Sequence, residues 1–415
     1  MLNTSADIES MRDLSRWERP VHSHAGLDAF LATRSLQDGI HAIAYCGVYL
    51  EFNLHRRAST SMLVFFNAAL SSRTSDVKLP VFSGTRSPHA TDACVLMVSD
   101  PGLYLDGEIR LAWYAGASGM RLQEDMAKVL RHIQDVLSIA RVVLYGASGG
   151  GFAALYYAPF LKNAIAVPCN PQINLLIYSS GILGRYLRAA YGYKGAPSAF
   201  ESADIPDRPT VKITAEHTLG TRILYLQNAL DARHFNREFL PFLHDQGFTR
   251  GKGLVEVHSD RLVSVCGDNW GEGHRAPPAK FVYELLHSLT KTDGWNRLPD
   301  TIPGLYARTA NRFRQVVLKL ENGGFTAQAV LHEPRTEDGI TMVLYRDDVE
   351  IETIQVDNAE FGRFSCAADK GRYCVAARAA RDDSPADITW RARLLDLFRT
   401  RNVFDEMRSR VVVVG

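Results

Sequence analysis

Several things are scarce in this 415-residue chain, and each scarcity removes a class of function. Its six cysteines (Cys46, Cys94, Cys169, Cys266, Cys366 and Cys374) form no C-x-x-C pair. That pattern argues against a zinc site or a disulfide framework. Cys94, Cys169 and Cys266 sit in apolar runs and read as small buried hydrophobes, and only Cys366 and Cys374 are spaced to meet across two strands. Charge of one sign is also missing: 47 Lys and Arg against 46 Asp and Glu leave +1. A nucleic-acid surface needs a basic excess gathered on one face, so no nucleic-acid partner is expected. No run approaches the ~18 apolar residues of a spanning helix, so no transmembrane segment is expected. The N-terminus lacks a basic stretch followed by an apolar one, which argues against a secretory signal. A soluble, cytoplasmic protein is the expectation. Repeats and low-complexity tracts are absent too.

What remains is an ordinary globular balance, 46% hydrophobic and 22% charged, in a chain long enough for two or three domains. Residues 1–38 read as a polar lead-in. The runs 40–54 and 61–66, rich in Val, Ile, Tyr and Phe around a charged tip at His55, Arg56 and Arg57, read as a hairpin leading into a buried strand. Residues 93–99 read as a strand ended by the turn Asp100, Pro101, Gly102. Apolar positions then recur at helical spacing over 122–137. Alternation continues with strands at 141–145, 164–167, 222–226 and 261–266, and helices at 149–158, 235–244 and 279–289. Strand–helix alternation implies an α/β domain over 39–300, a mostly parallel sheet with helices on both faces. From about Leu305 short strands follow one another without helices (313–320, 325–331, 340–345, 350–356, 371–378). Residues 305–390 therefore read as a small antiparallel β-sandwich domain. The tail, 391–415, is arginine-rich and helix-like. A solvated face is its plainer reading, with peripheral membrane contact the lesser one.

The most informative segment is Gly146-Ala147-Ser148-Gly149-Gly150, a G-x-S-x-G set between a buried strand and a helix of small residues. That context is what a nucleophile elbow requires. A serine on a sharp strand-to-helix turn has its Oγ thrust out above the sheet's carboxyl edge. Nearby helical N–H groups there favour developing negative charge. Gly146 and Gly150 are demanded because a Cβ at either place collides with neighbouring backbone. A dinucleotide-binding loop competes poorly, since Ser148 stands where G-x-G-x-x-G needs glycine. A glycine turn that merely contains a serine is the bland alternative.

On these residues the sequence resembles the α/β-hydrolase superfamily over about residues 40–290. The resemblance implies an acid and then a histidine, each on a loop after a later strand. Asp231, just past the strand at 222–226, fits the acid; the competing reading is a cap for the following helix. His274, on the glycine-rich loop after the strand at 261–266, fits the base. His217 and His258 are alternative bases, Asp268 and Glu272 reserve acids, and His234 a neighbour of the site. The resemblance implies one oxyanion donor at the N–H of Gly149 and a second after the strand at 61–66. Asn67, Ala68 and Ala69 stand there in place of a His-Gly-Gly motif, with Ala68 or Ala69 the donor.

Residues 170–220 interrupt the alternation and read as a cap insertion, polar at Asn170, Gln172 and Asn174 and rich in tyrosine. Asn67, Asn170, Gln172 and Trp270 are candidate substrate contacts; ordinary cap packing is the competing reading. The elbow, the Asn170-Pro171-Gln172 run and the C-terminal sandwich together resemble bacterial proteins of cell-surface glycan biosynthesis, some of which acetylate sugars. The expected activity is a serine hydrolase acting on an ester, with an acylated carbohydrate as the substrate guess. An O-acyltransferase with the same triad is the alternative, and a catalytically inactive binding module the third reading. No metal or organic cofactor is implied.

Overall fold

The structure is a computed structural model that describes residues 5–74, 77–309, 313–321, 324–331, 339–347, 349–357, 361–367, 371–380, 404–408 and 412–414. The chain divides into two compact units, Met1–Cys266 with Val282–Leu305, and Gly267–Phe281 with Tyr306–Gly415.

The first unit is built on ten strands: β1 (Val21–His24), β2 (Gly39–Tyr45), β3 (Val48–His55), β4 (Ser61–Phe66), β5 (Cys94–Val98), β6 (Arg141–Ala147), β7 (Ala164–Cys169), β8 (Arg222–Asn228), β9 (Val255–Val257) and β10 (Leu262–Gly267). They lie side by side in the order β1-β2-β3-β5-β4-β6-β7-β8-β10-β9. The central pairs β5–β4, β4–β6, β6–β7 and β7–β8 are parallel. Such strands are covered on both faces, which is why their sequences are near-continuous apolar runs; every residue of β5 and of β7 is buried. Helices lie on both faces, so this unit is an α/β architecture around a mostly parallel sheet, the class expected from the sequence.

Sequence and structure meet most closely where periodicity is long. The helix Leu122–Val136 buries Leu122, Met126, Val129, Leu130 and Ile133, the spacing of one helical face. The run 40–54 is a hairpin in itself. Its turn falls at Cys46 and Gly47, both at positive φ, and Tyr45 pairs with Val48. That is the two-residue turn whose twist matches the strands. Residues 1–38, read as a lead-in, carry the edge strand β1, paired in parallel with β2. The helix Leu298–Arg308, with Pro303 inside it, was not foreseen, because an internal proline argues against a helix.

In the second unit, β11 (Phe313–Glu321), β12 (Gly324–Leu331) and β15 (Phe361–Ala367) form one antiparallel sheet. β13 (Gly339–Arg346), β14 (Val349–Asp357), β16 (Gly371–Ala380), β17 (Phe404–Arg408) and β18 (Val412–Val414) form another. Phe325 of the first sheet packs on Tyr373 of the second, ring centres 4.3 Å apart. Phe404–Arg408 is a strand, hydrogen-bonded to β16, rather than part of a helical tail. Residues 391–403, 409–411 and 415 of the tail, residues 381–390 before it, and the side chains of Cys366 and Cys374 lie outside the described residues. No described helix is long and apolar enough to cross a membrane.

Candidate active site

Ser148 links β6 to the helix Gly149–Tyr157 with φ 55 and ψ −118, a conformation that an L-residue adopts only under constraint. Two close approaches enforce it. A Cβ on Gly146 would lie 2.0 Å from the carbonyl oxygen of Gly150, and one on Gly150 would lie 2.6 Å from that of Phe66. The Ser148 N–H donates to the Cys169 carbonyl at 2.9 Å, tying the turn to the end of β7. Ser148 is only 5% exposed, so its hydroxyl is held in protein rather than in bulk water.

The loop after β7 closes over this turn, and almost every polar group in it has an internal partner. Asn170, at φ 41, donates its N–H to the Leu226 carbonyl at 2.8 Å, and its Oδ1 accepts from the Asn228 N–H at 2.7 Å. The wholly buried Gln172 donates from Nε2 to Ser148 Oγ at 2.7 Å, and its Oε1 accepts from the Trp113 indole at 3.2 Å. Glu238 Oε2 accepts from the N–H groups of Ile173 and Asn174 at 2.7 and 3.1 Å. Burial pushes the Glu238 carboxyl up to about 7, against the pull of those two N–H groups. Asn170 and Gln172, read from sequence as substrate contacts, thus have their side chains engaged within the protein.

A second loop supports the first. Trp113 and Tyr114 are consecutive left-handed residues, φ 53 and 55, both fully buried. Asp100 holds them there: its carboxylate accepts from the Tyr114 N–H and the Gly102 N–H, each at 2.9 Å. Burial raises Asp100 to about 6 although these N–H groups favour the charged form. The Tyr114 hydroxyl accepts from the Asn67 N–H at 2.7 Å and faces Asn67 Oδ1 and the Val98 carbonyl. Asn67 Nδ2 donates to the Ala68 carbonyl at 3.1 Å. Asn67 therefore serves to shape the strand end beside the elbow. Among the described residues, no hydrogen bond takes up the N–H of Ala68 or Ala69, and both residues are half-buried.

Asp231 ends the turn after β8 and is 4% exposed. Its Oδ1 accepts from the His234 N–H at 3.2 Å, the cap of the following helix, while its Oδ2 lies 2.8 Å from His234 Nδ1. His234 Nε2 in turn lies 3.3 Å from Gln172 Nε2. The capping reading of Asp231 is realised, and its second oxygen meets His234, which the sequence had placed only as a neighbour of the site. His217 bonds the Tyr156 carbonyl at 3.0 Å and stacks on that ring, and His258 bonds Ser264 Oγ at 2.9 Å. Burial lowers both imidazoles.

His274 belongs to the second unit, exposed on the loop after β10 just past Gly271 and Gly273, both at positive φ. On the same loop Asp268 Oδ1 accepts from the Tyr306 hydroxyl at 2.6 Å, and Glu272 is exposed. Trp270 is 2% exposed and packs against Phe281 and Tyr306, ring centres 5.9 and 6.4 Å away. It is a core residue of its unit. Asp100, Trp113, Tyr114 and Glu238 escaped the sequence reading. The only local signal was the turn at Asp100, which looked like punctuation.

No protein-family model and no curated protein matches the chain. Similar solved structures include a capsule O-acetyltransferase of Neisseria meningitidis serogroup A, at 16% identity over 50% of this chain and 85% of that one, TM-score 0.34. A poly(3-hydroxybutyrate) depolymerase from Bordetella parapertussis is 17% identical over 66% and 94%, TM-score 0.35. A proline iminopeptidase of Mycobacterium smegmatis is 12% identical over 61% and 99%, TM-score 0.33. Likeness of this degree says nothing about chemistry, which has to be argued from the elbow and its surroundings.

Proposed function

We propose that this protein is a serine hydrolase that cleaves an ester through an acyl-enzyme on Ser148. The observation that carries the reading is the backbone of Ser148, held at φ 55 between a central strand and a helix N-terminus with its Oγ hydrogen-bonded. Strain of this kind costs about 1–3 kcal/mol and persists where it positions a reacting group. In the proposed reaction His274 takes the Ser148 proton as Oγ attacks the acyl carbon, and Asp231 stabilises the imidazolium. The N–H groups of Gly149 and of Ala68 or Ala69 hydrogen-bond the oxyanion. The histidine then protonates the departing alcohol, and water repeats the sequence to free the acid.

An acylated carbohydrate is the proposed substrate class, with a sugar hydroxyl in place of water giving O-acyl transfer by the same residues. A fluorophosphonate probe tests the core of this. Wild type is expected to take the label and Ser148→Ala not to; a folded wild type that stays unlabelled sinks the enzyme reading and leaves a binding module. His274→Ala should lower kcat by about 10⁴ while remaining folded. A near-normal rate moves the base to His217 or His258. Loss of activity in Asp231→Asn but not in Asp268→Asn supports Asp231 as the acid, and the reverse result transfers that role. Acylated product that rises with added sugar at the expense of free acid identifies transfer.

A further inference from the structure

We propose that Gln172 is a catalytic residue, an amide donor to the reacting oxygen of Ser148, and that Trp113 is the residue that positions it. The inference rests on Ser148 being the nucleophile. An amide side chain has one acceptor oxygen and one donor nitrogen, and which is which follows from its partners. The Trp113 indole can only donate, so the Gln172 atom 3.2 Å from it is Oε1. The nitrogen must then face Ser148 Oγ at 2.7 Å. Its second hydrogen points toward His234 Nε2 at 3.3 Å. That nitrogen is an acceptor in the tautomer with the proton on Nδ1, which lies 2.8 Å from Asp231 Oδ2. The whole amide is buried, its oxygen accepting one bond and its nitrogen facing two partners.

This fixed donor makes Oγ an acceptor, leaving the hydroxyl proton as the group that Ser148 gives away. In acylation the O–H bond breaks and its proton passes to the base. The Oγ–C bond forms, and the alcohol leaves with that proton. In deacylation water supplies the new proton and the Oγ–C bond breaks. Gln172 keeps both of its hydrogens throughout. Its N–H stabilises the negative charge that Oγ carries as it loses its proton and again as it is expelled from the acyl-enzyme. The same arrangement gives His234 a supporting place, since its Nε2 faces the amide rather than the hydroxyl.

The test is the second-order rate of fluorophosphonate labelling, with kcat and KM on a p-nitrophenyl ester, for variants whose melting shows them folded. Gln172→Met keeps the length and removes the donor. It should slow labelling about 100-fold and lower kcat with little change in KM. Trp113→Phe keeps a ring and frees the amide to turn, and should slow labelling about 10-fold. In the Gln172→Met background the Trp113→Phe change should add nothing, whereas a purely structural tryptophan would subtract the same factor again. Labelling of Gln172→Met within about threefold of wild type overturns the proposal. Ser148→Ala then still tells whether the serine reading stands: loss of label there keeps it. A folded wild type without label overturns both. If Gln172→Met does not fold, Trp113→Phe decides, and an unchanged rate in that variant overturns the proposal.

Discussion

Two clusters of buried polar side chains in the first unit are built on opposite principles. On the β1–β3 side of the sheet one cluster is made of imidazoles. His41 Nδ1 and His24 Nε2 lie 3.0 Å apart, His41 Nε2 faces the Gln37 carbonyl at 3.0 Å, and the His41 ring stacks on Phe52. Burial lowers His41 to about 4, so the cluster is packed as neutral rings. At the carboxyl end of the sheet the buried groups are carboxylates that hold backbone N–H groups: Asp100 under Trp113 and Tyr114, Glu238 under the Gln172 loop. Neutral rings can satisfy one another. A carboxylate can gather several N–H groups from irregular backbone, which a loop around a nucleophile needs.

The contrast is broken most severely at Asp100. Asp100→Ala removes the acceptor of two buried N–H groups, and should cost about 3 kcal/mol in urea denaturation and lower activity as well. A loss below about 1 kcal/mol would mean that the left-handed pair holds itself. Glu238→Ala should cost about 2 kcal/mol, and Glu238→Gln, which keeps an acceptor oxygen, under about 1 kcal/mol. Equal losses in the two variants would show that charge, rather than the accepting oxygen, holds the Gln172 loop.

The smallest effect is the dependence on pH, and its sign separates the two regions. The folded pKa of His41 lies below the ordinary imidazole value of about 6.5. Its contribution is therefore present above about 6.5 and is lost as pH falls toward about 4. Glu238 is raised, so its contribution is present below the ordinary carboxyl value of about 4.3 and is lost as pH rises through about 7. Acidification should loosen the edge and tighten the site. Between pH 7 and 5 the change in stability should be more favourable in His41→Gln than in wild type, and less favourable in Glu238→Gln. A shared slope for all three proteins would dissolve the distinction.

The sheet was legible because burial on both faces writes unbroken apolar runs, and the elbow because sterics there allow only glycine beside Ser148. The partners of Ser148 were much less so. Gln172 stood out as polar, but a polar residue in a cap reads the same whether it meets ligand or protein. Trp113 and Tyr114 gave no signal, because a left-handed backbone has no side-chain signature outside glycine, Asn and Asp. Short strands such as β9 and Phe404–Arg408, three and five residues long, carry too few residues for a period to show.

The backbone at position 148 has a consequence for how this protein ages through mutation. A glycine there would relax the turn while deleting the one oxygen the proposed chemistry requires, so Ser148→Gly should melt higher than its parent by the equivalent of about 1 kcal/mol. Thermal melting of the two chains would show it, and a lower melting point would mean that the lost Gln172 hydrogen bond outweighs the strain released. Selection for durability and selection for turnover then pull on a single codon in opposite directions, and a lineage that stopped needing the reaction would be expected to lose the serine early.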